Sequence, residues 1–266
     1  MNQISFGNLW PETVAVVRRN ADLLWPLTAA FLFMPQLLLA RYAADRAPDQ
    51  LFKGEALWAD SLALGLLLVV STLGQLVMAR VVAGDGTGTQ TLGAELRTSA
   101  LRLPAALVVF FILLILFMLA AFIPVTLALL MGGGNAAAAL AAVVAGFWLA
   151  ARMGIVLPLL ATDHPEPVWA ISSAWRLTKG YGLRIAGMLA TLLFGFLLLV
   201  IGIQGIGAAV GVISTVATGG DATEWGIGRW LFELIGAAAS AAMGTFYIAF
   251  LTLLAQALKG QEAAAD

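Results

Sequence analysis

From Leu103 to Ala151 the chain runs for 49 positions without a charged residue. A single α-helix of that length would reach roughly 74 Å, more than twice the ~30 Å hydrocarbon thickness of a bilayer. The run must therefore reverse, and MGGGN, Met131 to Asn135, is the place. The expectation is a helical hairpin with almost no loop. The remainder needs the same environment. With 61% hydrophobic and 11% charged residues, against about 25% charged in soluble domains, most of the chain must be solvated by lipid.

Other uncharged runs supply further spans. Leu23 to Ala40 is the first, interrupted by Pro26 and Pro35, and Ser61 to Ala79 is the second, closed by Arg80. The fourth helix continues past Arg152 towards Thr162. Ile185 to Gly220 holds a fifth span, with the small-xxx-small pair Gly207 and Gly211. A sixth runs from about Gly226 to Leu258, with Arg229 and Glu233 placed to pair four residues apart. KGQEAAAD reads as a short polar tail. Pro35, Pro124 and Pro158 are kink candidates, and Pro35 either bends the first span or ends it. Asp60 and Glu233 are expected at the outer edge.

Three amphipathic stretches lead into outward spans. In Leu9 to Asn20, Pro11 suits the first turn, and Val14, Val17, Ala21 and Leu24 form the apolar stripe. After the flexible GDGTGTQT loop, Thr91 can cap a second surface helix, with Leu92, Leu96 and Leu103 on one face and Glu95, Arg97 and Arg102 on others. The third lies in DHPEPVWAISSAWRLTKGYGLR, Asp163 to Arg184. There Val168, Ile171, Trp175 and Thr178 share a face, and Ser172, Arg176 and Lys179 share another. Trp169 and Trp175 are interface anchors. Arg176, Lys179 and Arg184, with Arg152 nearby, form a basic cluster able to hold a lipid phosphate or other anion. Their plainer role is to fix topology.

Aligning Arg19, Arg97 and Lys179 puts Leu23, Leu101 and Leu183 in register, and the first two return spans both close on Ala-Arg. This suggests one integral membrane domain over 1–266, made of three units at 1–83, 84–162 and 163–260. Each unit is a surface helix, a span out and a span back. With the N-terminus in the cytoplasm, ten Lys and Arg fall inside. Arg41, Arg46, Lys53 and Arg229 fall outside. That asymmetry predicts both termini in the cytoplasm of a bacterial inner membrane. The N-terminal segment lacks the order of a cleaved signal peptide.

Chemistry is sparse. There is no cysteine, so thiolate, disulfide and iron–sulfur chemistry are excluded. The glycine loop lacks the preceding strand and the Gly-Lys-Ser/Thr ending of a phosphate loop. No HExxH or GxSxG pattern and no acidic chain within the spans occurs. His164, beside Asp163 and Glu166, has no visible nucleophile to serve. No catalytic residue, metal ligand or cofactor is expected, and the net charge of −1 gives no case for nucleic acid.

Arg152, Pro158 and the run Ala170-Ile171-Ser172-Ser173-Ala174-Trp175-Arg176-Leu177-Thr178-Lys179-Gly180 resemble the membrane domain N-terminal to some bacterial glycerophosphoryl diester phosphodiesterases, and the related stand-alone six-span proteins. The likeness is sharpest over Arg152 to Arg184. Here Ser173-Ala174-Trp175 stands where an Arg-Ser-Trp type of triplet is expected. In the fused proteins catalysis belongs to a separate barrel, so the resemblance implies a lipid-linked membrane module. The expectation is an all-α polytopic protein of six spans that binds, scaffolds or moves a lipid or other amphiphile without chemistry of its own. The alternative is a partner subunit that docks another protein on its cytoplasmic helices; membrane lipids, a protein partner or a homo-oligomer are the expected partners.

Overall fold

The computed structural model describes residues 4–44, 56–84, 92–131, 134–218 and 227–264. Among these there is no strand. The helices are α1 (Phe6–Arg19), α2 (Ala21–Thr28), a π-helical turn (Ala29–Phe33), α3 (Met34–Ala44), α4 (Ala56–Ala83), α5 (Leu92–Leu130), α6 (Asn135–Met153), α7 (Val156–Thr162), α8 (Pro167–Leu177), α9 (Gly182–Thr218) and α10 (Ile227–Ala263). Six segments are long and apolar enough to cross a membrane: Ala21–Leu39, Asp60–Ala83, Leu92–Leu127, Ala136–Thr162, Gly182–Ile203 and Glu233–Ala263. The most apolar of them, in α5, has only 11% of its window buried. A water-soluble protein would bury such a helix deepest. Here its apolar surface faces outward, which is how a lipid-solvated chain is arranged.

The hairpins form where the sequence places them. α5 ends at Leu130 and α6 begins at Asn135, bracketing the glycine run, and these two helices pack together more extensively than any other pair. Each span then leans on the next. α4 packs on α5, α6 on α9, and α10 on the π turn of the first span. The return segments α4, α7 and α10 also touch one another. Their contact is the centre of the molecule, where Leu76, Val77, Met78, Leu159, Leu160, Phe250 and Leu254 have essentially no exposure.

Proline decides local geometry in several places. A proline at 35 cannot donate to the carbonyl one turn earlier and its ring crowds that carbonyl. The first span neither stops nor continues as an ordinary helix there. It widens into the π turn just before Pro35 and resumes as α3. The turn seats Phe31 against Gly74 of α4, where a Cβ would lie 2.2 Å from the Phe31 Cβ, and Leu32 against Gly244 of α10. Pro158 occupies the first turn of α7, and the helix breaks just before it, at Gly154 and Ile155. The fourth span thus continues to Thr162, as expected, but in two pieces. α5 runs through Pro104 and Pro124 without interruption.

Several expectations need correction. α1 starts at Phe6, so Pro11 lies inside the helix and not in its first turn. Its buried stripe is Leu9, Thr13, Val16 and Val17, while Val14 points outward. Thr13 can be buried because its hydroxyl donates to the Leu9 carbonyl at 2.8 Å. The second surface helix is not separate from its span. The first and third units break at Asn20 and at Gly180 (φ +86°), but nothing between Leu92 and Leu103 can stop a helix. In the first turns of α5 the inward face is polar, with Glu95 and Ser99 buried. The C-terminal segment is no loose tail, since α10 remains helical to Ala263. Asp60 lies near the start of α4, yet is 1% exposed. The glycine loop with Thr91, the GGDATE segment and the Arg229 side chain lie outside the described residues.

Candidate functional site: a polar knot and two intramembrane cavities

At one end of the bundle, charged side chains tie the return segments together. α7 stops at Thr162, leaving its last carbonyls without helical partners. Arg102 donates to the carbonyls of Leu160 and Ala161, both at 2.7 Å, and Arg80 donates to that of Ala161 at 3.0 Å. Two cations at a helix C-terminus also suit the helix dipole. Arg80 is ion-paired with Glu95. Next to the knot, Lys259 of α10 bridges both carboxylate oxygens of Asp163, at 2.7 and 2.8 Å. Three basic side chains from α4, α5 and α10 therefore converge on the end of α7.

Three of the four basic residues singled out from the sequence have separate partners. Arg176 pairs with Glu262 at 3.0 Å. Arg184 reaches the Ile4 carbonyl at 3.4 Å. Lys179 is exposed. Arg152 lies with its guanidinium 5.2 Å from the Trp148 ring centre and 4.8 Å from that of Trp175, the two indoles standing edge to face. A cation between indoles gains electrostatically from both ring faces. Gly182 leaves room for it, since a Cβ there would come within 3.3 Å of the arginine Nε. Trp175 is thus both half-exposed and part of a cage.

The other anchor, Trp169, packs partly on the core, with the exposed His164 ring 5.7 Å away. α8 lies on its small-residue face, with Ala170, Ser173, Ala174 and Leu177 buried. Val168, at 67% exposure, turns away from the protein. Among the described residues no cluster of His, Cys, Asp or Glu could hold a metal ion.

Among the described residues, cavities open inside the spans, two of which stand out. The first, about 370 Å³, opens between the first and fifth spans, with α10 behind it; Leu32, Gln36, Leu193, Phe196, Ser240 and Tyr247 are among its walls. α9 makes no extensive contact with the first or second span, so this side of the bundle stays parted. The second cavity, about 300 Å³, lies among α4, α5, α6, α7 and α10, lined in part by Ser71, Thr72, Ala106, Ala150, Pro158 and Leu251. Among the described residues neither is lined by a charged one. Gln36, Gln75, Ser240 and Tyr247 have no hydrogen-bond partner among the described residues. An unmet polar group facing hydrocarbon costs about 1–3 kcal/mol.

The sequence signal for these groups is two glutamines in uncharged runs, a signal overlooked when only charges are followed. Comparison with known proteins returns no relative: no family model matches the chain, and neither a curated protein nor a solved structure is significantly similar to it.

Proposed function

We propose that this protein binds or moves an amphiphile, taken up sideways from the bilayer into the cleft between its first and fifth spans. The observation that carries this reading is the partly open, apolar 370 Å³ cavity with unpartnered Gln36, Gln75, Ser240 and Tyr247 in its walls. Polar groups within spans that lack protein partners are costly and mark candidate ligand paths. The volume lies within the ~300–1,000 Å³ of small-molecule sites. The resemblance of Arg152 to Arg184 to a lipid-linked membrane module points the same way. No step in this reading needs a reacting residue.

Three further parts belong to the proposal. The membrane is a bacterial inner membrane, and the end carrying Arg80, Arg102 and Lys259 faces the cytoplasm with both termini, following the excess of positive charge there. The bundle consists of three units at 1–83, 84–162 and 163–260. In support, α1 packs on α10, the start of α5 on α4 through Arg80 and Glu95, and α8 on α7. Each unit's leading helix thus rests on the return segment of the unit before it, around the ring. Partner docking through the cytoplasmic helices remains the rival reading. Native mass spectrometry after mild detergent extraction separates the two. Retained lipid that is lost in Ser240→Phe, which plugs the first cavity, supports amphiphile binding. A stoichiometric protein partner with no lipid, unchanged by Ser240→Phe, overturns it.

A further inference from the structure

The two cavities share a wall: Gln75, Tyr247 and Ile248 line both. Gln75 projects from α4 and Tyr247 from α10, so a polar amide and a phenol stand at the boundary between two otherwise apolar chambers. Each chamber is near the ~300 Å³ lower limit for ligand sites, a size that suits one hydrocarbon chain better than a whole lipid. We propose that the chambers are the two chain sites of a single two-chain lipid with an uncharged head, its ester or amide linkage straddling Gln75 and Tyr247. This rests on the lateral-cleft reading and narrows it to a ligand class.

Three features select that class. Among the described residues no charged side chain lines either cavity, so a phosphate drawn to the shared wall would be desolvated without a counter-charge. A glutamine amide both donates and accepts, and a phenol does the same, which matches carbonyl and hydroxyl groups of a neutral glycerolipid. Access is available too, because the first cavity is partly open where the first and fifth spans stand apart. Arg80 and Arg102 are committed to Glu95 and to the α7 carbonyls, and the Arg152 guanidinium lies against the Trp148 and Trp175 rings.

The test uses the full chain in detergent and native mass spectrometry with three probes: dioleoylglycerol, mono-oleoylglycerol and dioleoylphosphatidylglycerol. The expected result is one dioleoylglycerol per chain, up to two mono-oleoylglycerols, and weaker retention of the phosphatidylglycerol. Ser240→Phe blocks the first cavity alone and Ser71→Phe the second alone. Each should abolish dioleoylglycerol binding and leave one mono-oleoylglycerol. Met243→Trp and Ala150→Leu serve in their place if either phenylalanine variant loses its helical circular dichroism or its monodisperse elution. Loss of dioleoylglycerol in Ser240→Phe but full retention in Ser71→Phe overturns the two-chamber proposal while leaving the lateral cleft standing. Retention in both variants overturns both. Phosphatidylglycerol held as well as dioleoylglycerol overturns the uncharged head.

Discussion

Single side chains fix how tightly the spans approach. Gly74 has no room for a methyl group because Phe31 occupies it. Gly74→Ala should therefore cost about 1–3 kcal/mol, the usual penalty of overpacking, read as a lower unfolding midpoint in detergent. Gly65→Ala, with nothing within 4 Å, should leave the midpoint near wild type. Ion pairs divide in the same way. The Arg80 and Glu95 side chains are 17% and 10% exposed, while those of Arg176 and Glu262 are 65% and 40% exposed. Removing one partner of the first pair strands a charge, so Glu95→Ala should destabilise by about 3 kcal/mol. Glu262→Ala should change the midpoint by less than about 1 kcal/mol, as exposed pairs do. Equal effects from the two variants would contradict this division. None of these partnerships was legible in the sequence. Spacing along one helix reveals pairs within that helix, whereas Arg80 of α4 meets Glu95 of α5, and Asp163 meets Lys259 from the far end of the chain.

At the scale of elements, long runs with few or no charges were enough to find all six spans, and the glycine run was enough to place the central turn. Their internal form was less readable. A proline announces that an ordinary helix is disturbed, but not whether the answer is a π turn, as before Pro35, a break, as before Pro158, or a helix that simply continues, as at Pro124. That choice depends on what packs alongside. The C-terminal turns of α10 looked like a polar tail because nothing apolar holds them. Their hold is ionic, through Lys259 on Asp163 and Glu262 on Arg176. A chain truncated after Leu258 loses both ties to the segment around α8. Limited proteolysis should then cut the α7–α8 connection, Asp163 to Glu166, faster than in the full chain. An unchanged rate would show that the α8 contacts with α7, α5 and α6 suffice alone.

For the whole molecule, composition alone demanded lipid, and the outward apolar belt of α5, α6 and α9 meets that demand. Phe122, Val143 and Phe194 are all more than half exposed. The cavities were invisible beforehand, because they arise where helices fail to touch, and no residue pattern encodes a missing contact. Orientation can be read directly because the chain has no cysteine to remove. In intact cells an impermeant maleimide should label Met131→Cys, at the exposed end of the α5–α6 hairpin, and should reach Ser172→Cys on α8 only after permeabilisation. The reverse pattern would invert the proposed topology. The central claim is that an amphiphile enters between the first and fifth spans, and photo-crosslinking with a diazirine-bearing lipid followed by peptide mapping tests it most directly. The account predicts adducts concentrated on Leu189–Phe196 of α9 and Ser240–Ile248 of α10, and lost there in Ser240→Phe. Adducts spread evenly over outward faces such as Phe122 and Leu140, with the cleft residues unmarked, would contradict it.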